Sequence, residues 1–356
     1  LLLGREPKDF DIATAAQPQE VLALFPGSEL VGAHFGVVLL PNGIEVATFR
    51  SEAGYVDGRR PGEVRFETGP RLDAARRDFT INALYYDPLQ ERVHDFVGGR
   101  ADLSAGIIRA IGNPSARFAE DHLRLLRAVR FAARFQYTIE PGTLAAMRAA
   151  APLLPRISGE RILAEMNRML SGPNLPIVWL YLDEAGLWRS LAPDSPAGGR
   201  LARLRSPVST ALGWAALLEA HPRPQLVYQL CRFPASLRAH CAELLAQEPA
   251  LANATNLSTP ALKRLLRQPT FPEHLELHRA TYGESPAWQY LLEAERRWQS
   301  AELWPPPLLT GADLIALGLK PGPLFGNILE QLEDAQLEQR ISTREEALAL
   351  VRRLSS

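Results

Sequence analysis

The sequence predicts an α+β fold, with a small head of mixed sheet and helices over residues 1–112 and an all-helical remainder. Three observations predict it. The apolar runs Phe35 to Leu40 and Ile44 to Phe49 flank Pro41-Asn42-Gly43, which is a hairpin signal. A second pair of short runs, Ala83 to Tyr86 and Val93 to Phe96, turns at Asp87-Pro88. From about residue 113 apolar residues recur at helical spacing almost to the C-terminus. A length of 356 residues calls for two or more domains.

Composition narrows the classes. Hydrophobic residues make up 46%, enough to bury a sizeable core, and no apolar run approaches membrane length. Cys231 and Cys241 give neither a disulfide framework nor a metal-ligand spacing, which fits a reducing compartment. The net charge of −1 argues against a generic polyanion binder. Lys8, Lys263 and Lys320 are the only lysines, and the other basic residues are arginines, whose planar fork suits phosphates and base edges, although high genomic GC produces the same bias, so position and not count must decide. The chain begins Leu1-Leu2-Leu3-Gly4 without a methionine, which points to residues upstream.

In chain order, Asp9-Phe10-Asp11 comes first. Two carboxylates two apart point the same way if extended, and oxygen ligands suit a hard divalent cation. Thr14 is read as the N-cap of a short helix carrying Val21, Leu22, Leu24 and Phe25. On the returning strand of the first hairpin, Ile44, Val46 and Thr48 share one face and Glu45, Ala47 and Phe49 the other. Glu45 is therefore either at a sheet edge or aimed at something. Residues 51–70 read as a long loop with a short extended segment, Val64-Arg65-Phe66.

Arg76-Arg77-Asp78-Phe79-Thr80-Ile81-Asn82-Ala83 sets polar groups among apolar ones, where they must be paired. Either a salt-bridge network or contacts to a triphosphate and a ribose would satisfy them. Residues 120–135 read as one helix, with Arg124, Arg127, Arg130 and Arg134 at spacings of three and four. On that reading Asp121 and Arg124 lie on one face, as an ordinary ion pair or a paired acceptor and donor. Further helices follow Ile139-Glu140-Pro141 and Ser158, and another spans residues 177–192. Residues 193–207 are a linker. No His-x-x-His-Asp cluster lies in the helical half, which disfavours a fused metal-dependent phosphohydrolase. Near the end, two apolar helices are joined by Gly318 and Pro321-Gly322-Pro323, which is either a plain helical hairpin or a site where the second helix's N-terminus meets a phosphate.

Seven ordered blocks together resemble the class II tRNA nucleotidyltransferase and bacterial poly(A) polymerase family, of the polymerase-beta-like nucleotidyltransferase superfamily. They are Leu2 to Thr14, Glu45 to Arg50, Asp57 to Pro61, Arg76 to Ala83, Asp102-Leu103 with Ile108 to Gly112, Glu120 to Arg124, and Ile157 to Ile162. The family's Gly-Gly-x-Val-Arg-Asp segment, associated with the triphosphate, would precede Leu1 and is not in this chain.

The resemblance implies a nucleotidyltransferase head over 1–112, a helical neck with a nucleotide-selecting helix over 113–172, a body over 173–300, and a tRNA-binding tail over 301–356. It implies CMP and AMP transfer from CTP and ATP to the 3′ end of tRNA, in the cytoplasm, with no stable protein partner. Asp9 and Asp11 would hold two divalent ions, usually magnesium (Mg2+), with Glu45 as third carboxylate. Arg76, Arg77, Asp78 and Asn82 would contact triphosphate and ribose, and Asp121, Arg124, Arg127 and Arg130 the incoming nucleotide. A carboxylate accepts from the amine of C or A and a guanidinium donates to a ring nitrogen, whereas U and G reverse that order. Asp57, Arg59, Arg60 and Pro61 match the flexible loop needed for terminal A addition, and Gly318, Lys320 and Gly322 fall on the tRNA elbow side. Three alternatives stay open: an enzyme adding A alone beside a CC-adding partner, a poly(A) polymerase, and an inactive RNA-binding protein.

Overall fold

The computed structural model describes the chain apart from residues 1, 5, 8, 32–35, 54–62, 196–198, 299 and 356. It opens with β1 (Asp11–Thr14), α1 (Pro18–Leu24), β2 (Glu29–Val31), β3 (Val37–Leu39) and β4 (Glu45–Thr48). The four strands form one mixed sheet in the order β1-β4-β3-β2. β1 runs parallel to β4, while β2/β3 and β3/β4 are antiparallel. The first hairpin is as expected. Gly43 closes its turn at φ +84°, a conformation strained for any residue with a side chain. Alternation then sorts the strands, since Val38 and Val46 are buried with Val21 of α1 while Glu45 faces the opposite side, exposed.

Thr14 does not cap α1. Pro18 takes the first helical position, so the cap falls on Gln17, whose N–H donates to the Glu20 carboxylate at 2.6 Å. Thr14 instead ends β1 and accepts from the Ala16 N–H.

The stretch read as a loop contains a strand pair, β5 (Arg50–Ala53) with β6 (Glu63–Phe66). The polar sequence Arg50-Ser51-Glu52 concealed the first strand. Asp57, Arg59, Arg60 and Pro61 lie outside the described residues. α2 (Pro70–Ala75) leads to the second hairpin, β7 (Leu84–Asp87) with β8 (Arg92–Asp95), also as expected. α3 (Gly99–Ala105) and β9 (Ile107–Ile108) follow.

The helix read over 120–135 is two helices, α4 (Pro114–Glu120) and α5 (Leu123–Phe135). Asp121 between them is extended, at φ −147° and ψ 106°. β10 (Thr138–Ile139) pairs with β9, and α6 (Pro141–Ala150) and α7 (Gly159–Leu170) follow, with Ser158 at the cap position of α7. The helix read over 177–192 is also two, α8 (Leu175–Glu184) and α9 (Leu187–Leu191), parted by Gly186 at φ +67°.

The remainder is helical: α10 (Arg200–Arg203), α11 (Thr210–Leu218), α12 (Pro224–Leu230), α13 (Ala235–Ala252), α14 (Thr259–Leu266), α15 (Phe271–Tyr282) and α16 (Pro286–Arg297). α17 (Ser300–Leu303), α18 (Gly311–Ala316), α19 (Pro323–Leu337) and α20 (Arg344–Ser355) complete it. Among the described residues no helix is long and apolar enough to cross a membrane.

The chain forms two compact units. One comprises Leu1–Ala202, Ser206–Thr210 and Ala220–Pro234; the other comprises Arg203–Arg205, Ala211–Glu219 and Ala235–Ser356. In the second unit one core gathers Leu251, Leu262, Phe271 and Leu291, and another gathers Leu309, Leu314, Ile328, Leu332 and Val351.

Candidate active site

Asp11 and Glu45 are direct partners in the parallel β1/β4 register. Register partners present their side chains on the same face of a sheet. β4 is an interior strand, so Glu45 is not an edge residue. Both carboxylates are exposed, and Asp9 lies exposed just before β1. Hard oxygen donors on one open face fit a divalent cation that takes its remaining ligands from water or phosphate. Among the described residues no three His, Cys, Asp or Glu side chains are gathered closely enough to hold a metal ion. Asp9, Asp11 and Glu45 therefore do not form one closed three-carboxylate cage.

The Arg76 to Asn82 block is built around two buried carboxylates. Asp73, on α2, accepts from Arg76 Nη2 at 2.6 Å, from Arg77 Nη2 at 3.3 Å and from the Tyr85 hydroxyl at 2.5 Å. Arg76 also pairs with Glu52 of β5 at 3.0 Å. Burial opposes the charge on Asp73, but Arg76, Tyr85 and Arg77 outweigh it and hold its carboxyl below the usual range. Asp78 accepts from the Asn82 amide at 3.0 Å and from Arg127 Nε at 2.7 Å. It too is held low, with burial opposing and Arg127 and Asn82 prevailing. So the block is an internal salt-bridge network, which also positions Arg77, the more exposed of its two arginines, stacked on Tyr85 at 4.9 Å.

Asp121 and Arg124 do not pair with each other. Asp121 Oδ2 accepts from Arg161 Nη2 of α7 at 2.8 Å, and Oδ1 accepts from the Leu123 N–H at 3.0 Å. Arg124 Nη1 donates to Glu120 at 2.5 Å and to the Arg117 carbonyl at 2.9 Å, and Nη2 donates to the Arg76 carbonyl at 3.2 Å. The i,i+3 reading fails because Asp121 is not helical. Both residues nonetheless sit at the junction of α4 and α5, and Arg124 reaches the Arg76 block through the Arg76 carbonyl. Further along α5, Arg130 pairs with Glu165 of α7 at 2.7 Å, so among the selected arginines it faces α7 and not the block that Arg127 contacts.

In the second unit, Gly318 follows α18 at φ +86° and Lys320 is exposed. Gly322 stands at the cap position of α19. Ile315, Leu317 and Leu324 are exposed apolar neighbours in the same segment.

Two family models match the chain: the "Poly A polymerase head domain" over residues 1–109 and the "Probable RNA and SrmB- binding site of polymerase A" over residues 136–197. Over 361 aligned residues the chain is 33% identical to the CCA-adding enzyme of Anoxybacillus flavithermus, covering 98% of this chain and 88% of that one. The chain belongs to the CCA-adding enzyme family. The CCA-adding enzyme of Levilactobacillus brevis is 34% identical over 98% of this chain and 89% of its own. Among solved structures, the Bacillus stearothermophilus CCA-adding enzyme in complex with CTP superposes with a TM-score of 0.77 at 28% identity, covering 99% of this chain and 90% of that one. The Thermotoga maritima CCA-adding enzyme complexed with tRNA shares the fold, with a TM-score of 0.74 at 21% identity, 99% of this chain and 88% of that one.

Sequence reasoning about this member of the CCA-adding family missed the supporting residues. Tyr85 and Glu52 carry no motif signal, since their partners lie on other elements, whereas Asp73 stands three and four residues before Arg76 and Arg77 and Glu165 three before Arg168, a spacing that could have marked both as ion-pair partners. Arg161 stood within a recognised block, Ile157 to Ile162, but nothing in the spacing connected it to Asp121.

Proposed function

We propose that this chain adds CMP and AMP, drawn from CTP and ATP, to the 3′ end of tRNA without a nucleic-acid template, building or repairing the CCA terminus in the cytoplasm. The observation that carries this reading is the Asp11–Glu45 register on an open sheet face, in a chain alike over almost its whole length to CCA-adding enzymes.

Asp9 and Asp11 would hold Mg2+, with water or phosphate completing its ligands and Glu45 as the third carboxylate on the same face. The bound ions supply charge neutralisation at the triphosphate and a lowered pKa at the RNA 3′-hydroxyl. Arg77, with Arg76 behind it, orients the triphosphate. Asp78 and Asn82, locked together by their hydrogen bond, present a fixed edge for the ribose hydroxyl, and an unmet partner there penalises a deoxyribose. Arg127 holds Asp78 in place, and Arg130 fixes α5 against α7. Asp121 accepts from the base amine while Arg124 donates to the ring. The division of labour is head 1–112, neck 113–172, body 173–300 and tail 301–356, with Asp57, Arg59, Arg60 and Pro61 serving terminal A addition and Gly318, Lys320 and Gly322 the tRNA elbow.

A poly(A) polymerase is the second reading, favoured by the description of the matching head family. Comparing ATP with dATP tests the ribose contacts. The kcat/KM for ATP is expected to exceed that for dATP and to approach it in Asn82→Ala; equal values in the unaltered protein would remove the ribose role.

A further inference from the structure

We propose that Arg161 of α7 is a positioning residue that sets base discrimination by fixing the acceptor half of the selector. The inference rests on the CCA-addition reading above and extends it to a residue outside the Asp121–Arg124 pair.

The two halves of the selector are held very differently. Arg124 is anchored by two main-chain carbonyls, those of Arg117 and Arg76, and by Glu120. Removing any one leaves the others. Asp121 is not in a helix, and its side chain has fewer anchors. Its carboxylate is fixed by the Leu123 N–H on one oxygen and by the Arg161 guanidinium on the other. Without Arg161 a single hydrogen bond remains, and the carboxylate can rotate about it. Each Asp121 oxygen accepts once here, which leaves lone pairs for a base amine.

Arg161 is delivered by a helix that is itself locked. A Cβ at Gly159 would fall 2.1 Å from the Leu230 carbonyl oxygen, so the start of α7 lies directly on that backbone. One turn beyond Arg161, on the same face, Glu165 pairs with Arg130 of α5 at 2.7 Å. Two ion pairs of opposite polarity thus hold α7 against α5 and the link before it: Arg161 to Asp121, and Glu165 to Arg130. Asp121 therefore accepts from a set direction. An amine-bearing base meets it productively, and a carbonyl-bearing base does not.

The test uses the full chain, Arg161→Met and Arg161→Lys, with tRNA lacking its CCA end as acceptor and CTP or UTP as donor. Thermal melting checks that each variant folds. In Arg161→Met the ratio of kcat/KM for CTP to that for UTP is expected to fall about tenfold or more, the scale on which a misplaced group loses its effect. The kcat with CTP should change much less, and Arg161→Lys should recover part of the ratio. A structural role alone would depress CTP and UTP alike and leave the ratio unchanged, which overturns the proposal. If Arg161→Met fails to fold, the ratio in Arg161→Lys decides: a partial fall supports the proposal and an unchanged ratio overturns it. If the unaltered chain incorporates C and U equally, the CCA-addition reading fails, and this inference fails with it.

Discussion

At the scale of single residues, the account depends on carboxylates with two different tasks. Asp11 and Glu45 are exposed and share one register position, whereas Asp73 and Asp78 are buried and paired. Replacing Asp11 by Ala should abolish nucleotide incorporation while leaving the melting temperature close to that of the unaltered protein. Asp9→Ala should behave likewise, and near-normal turnover in either variant would remove the metal role. Asp73→Asn should instead destabilise, by about 3 kcal/mol, because it removes the buried charge that Arg76 and Arg77 share and leaves Arg76 only Glu52. Urea unfolding measures it. Both buried carboxyls have folded pKa values below their unfolded ones, so the stability they contribute is present above the usual carboxylate range and is lost as pH falls below about 4. Asp73→Asn should make that acid-side loss shallower. The exposed carboxylates were legible through the resemblance carried by the ordered blocks, since an acidic pair alone is equally an ordinary solvated loop. Asp73 was overlooked although Arg76 and Arg77 follow it by three and four residues; what the sequence does not show is that β5 and β7 close over it with the Arg50 N–H and the Tyr85 hydroxyl.

At the scale of elements, hairpins were readable where turn residues separated apolar runs, as at Pro41-Asn42-Gly43. β5 was missed because its residues are polar, and β-pairing there depends on a partner strand rather than a local pattern. The continuous helix over 120–135 was misread for a related reason. Periodicity runs through Asp121, but the side chain of an aspartate before an apolar run competes for backbone N–H groups, and here it accepts from the Leu123 N–H at the start of α5. That break frees Asp121 to meet α7. Packing at the start of α7 gives a direct test. Gly159→Ala would force its methyl against the Leu230 carbonyl, and denaturant melts should show a loss of about 1–3 kcal/mol. An unchanged midpoint would contradict the close approach.

At the scale of the whole molecule, the chain is two compact units, and each carries part of the proposed function. In the second, Lys263 Nζ donates to the Leu337 carbonyl at 2.9 Å, and Arg264 pairs with Glu333 at 2.5 Å. Deleting residues 305–356 would strip those partners and confound stability with binding. Lys320→Glu is the cleaner probe: exposed and away from both cores, it should raise KM for tRNA while leaving KM for ATP unchanged. The most direct test of the central claim is product length. The full chain is incubated with tRNA lacking its CCA end, with CTP and ATP both present and each labelled in turn, and the products are resolved at single-nucleotide length. The account predicts two C residues followed by one A, and then a stop. A long run of A, or addition of A only to tRNA already ending in CC, would contradict it.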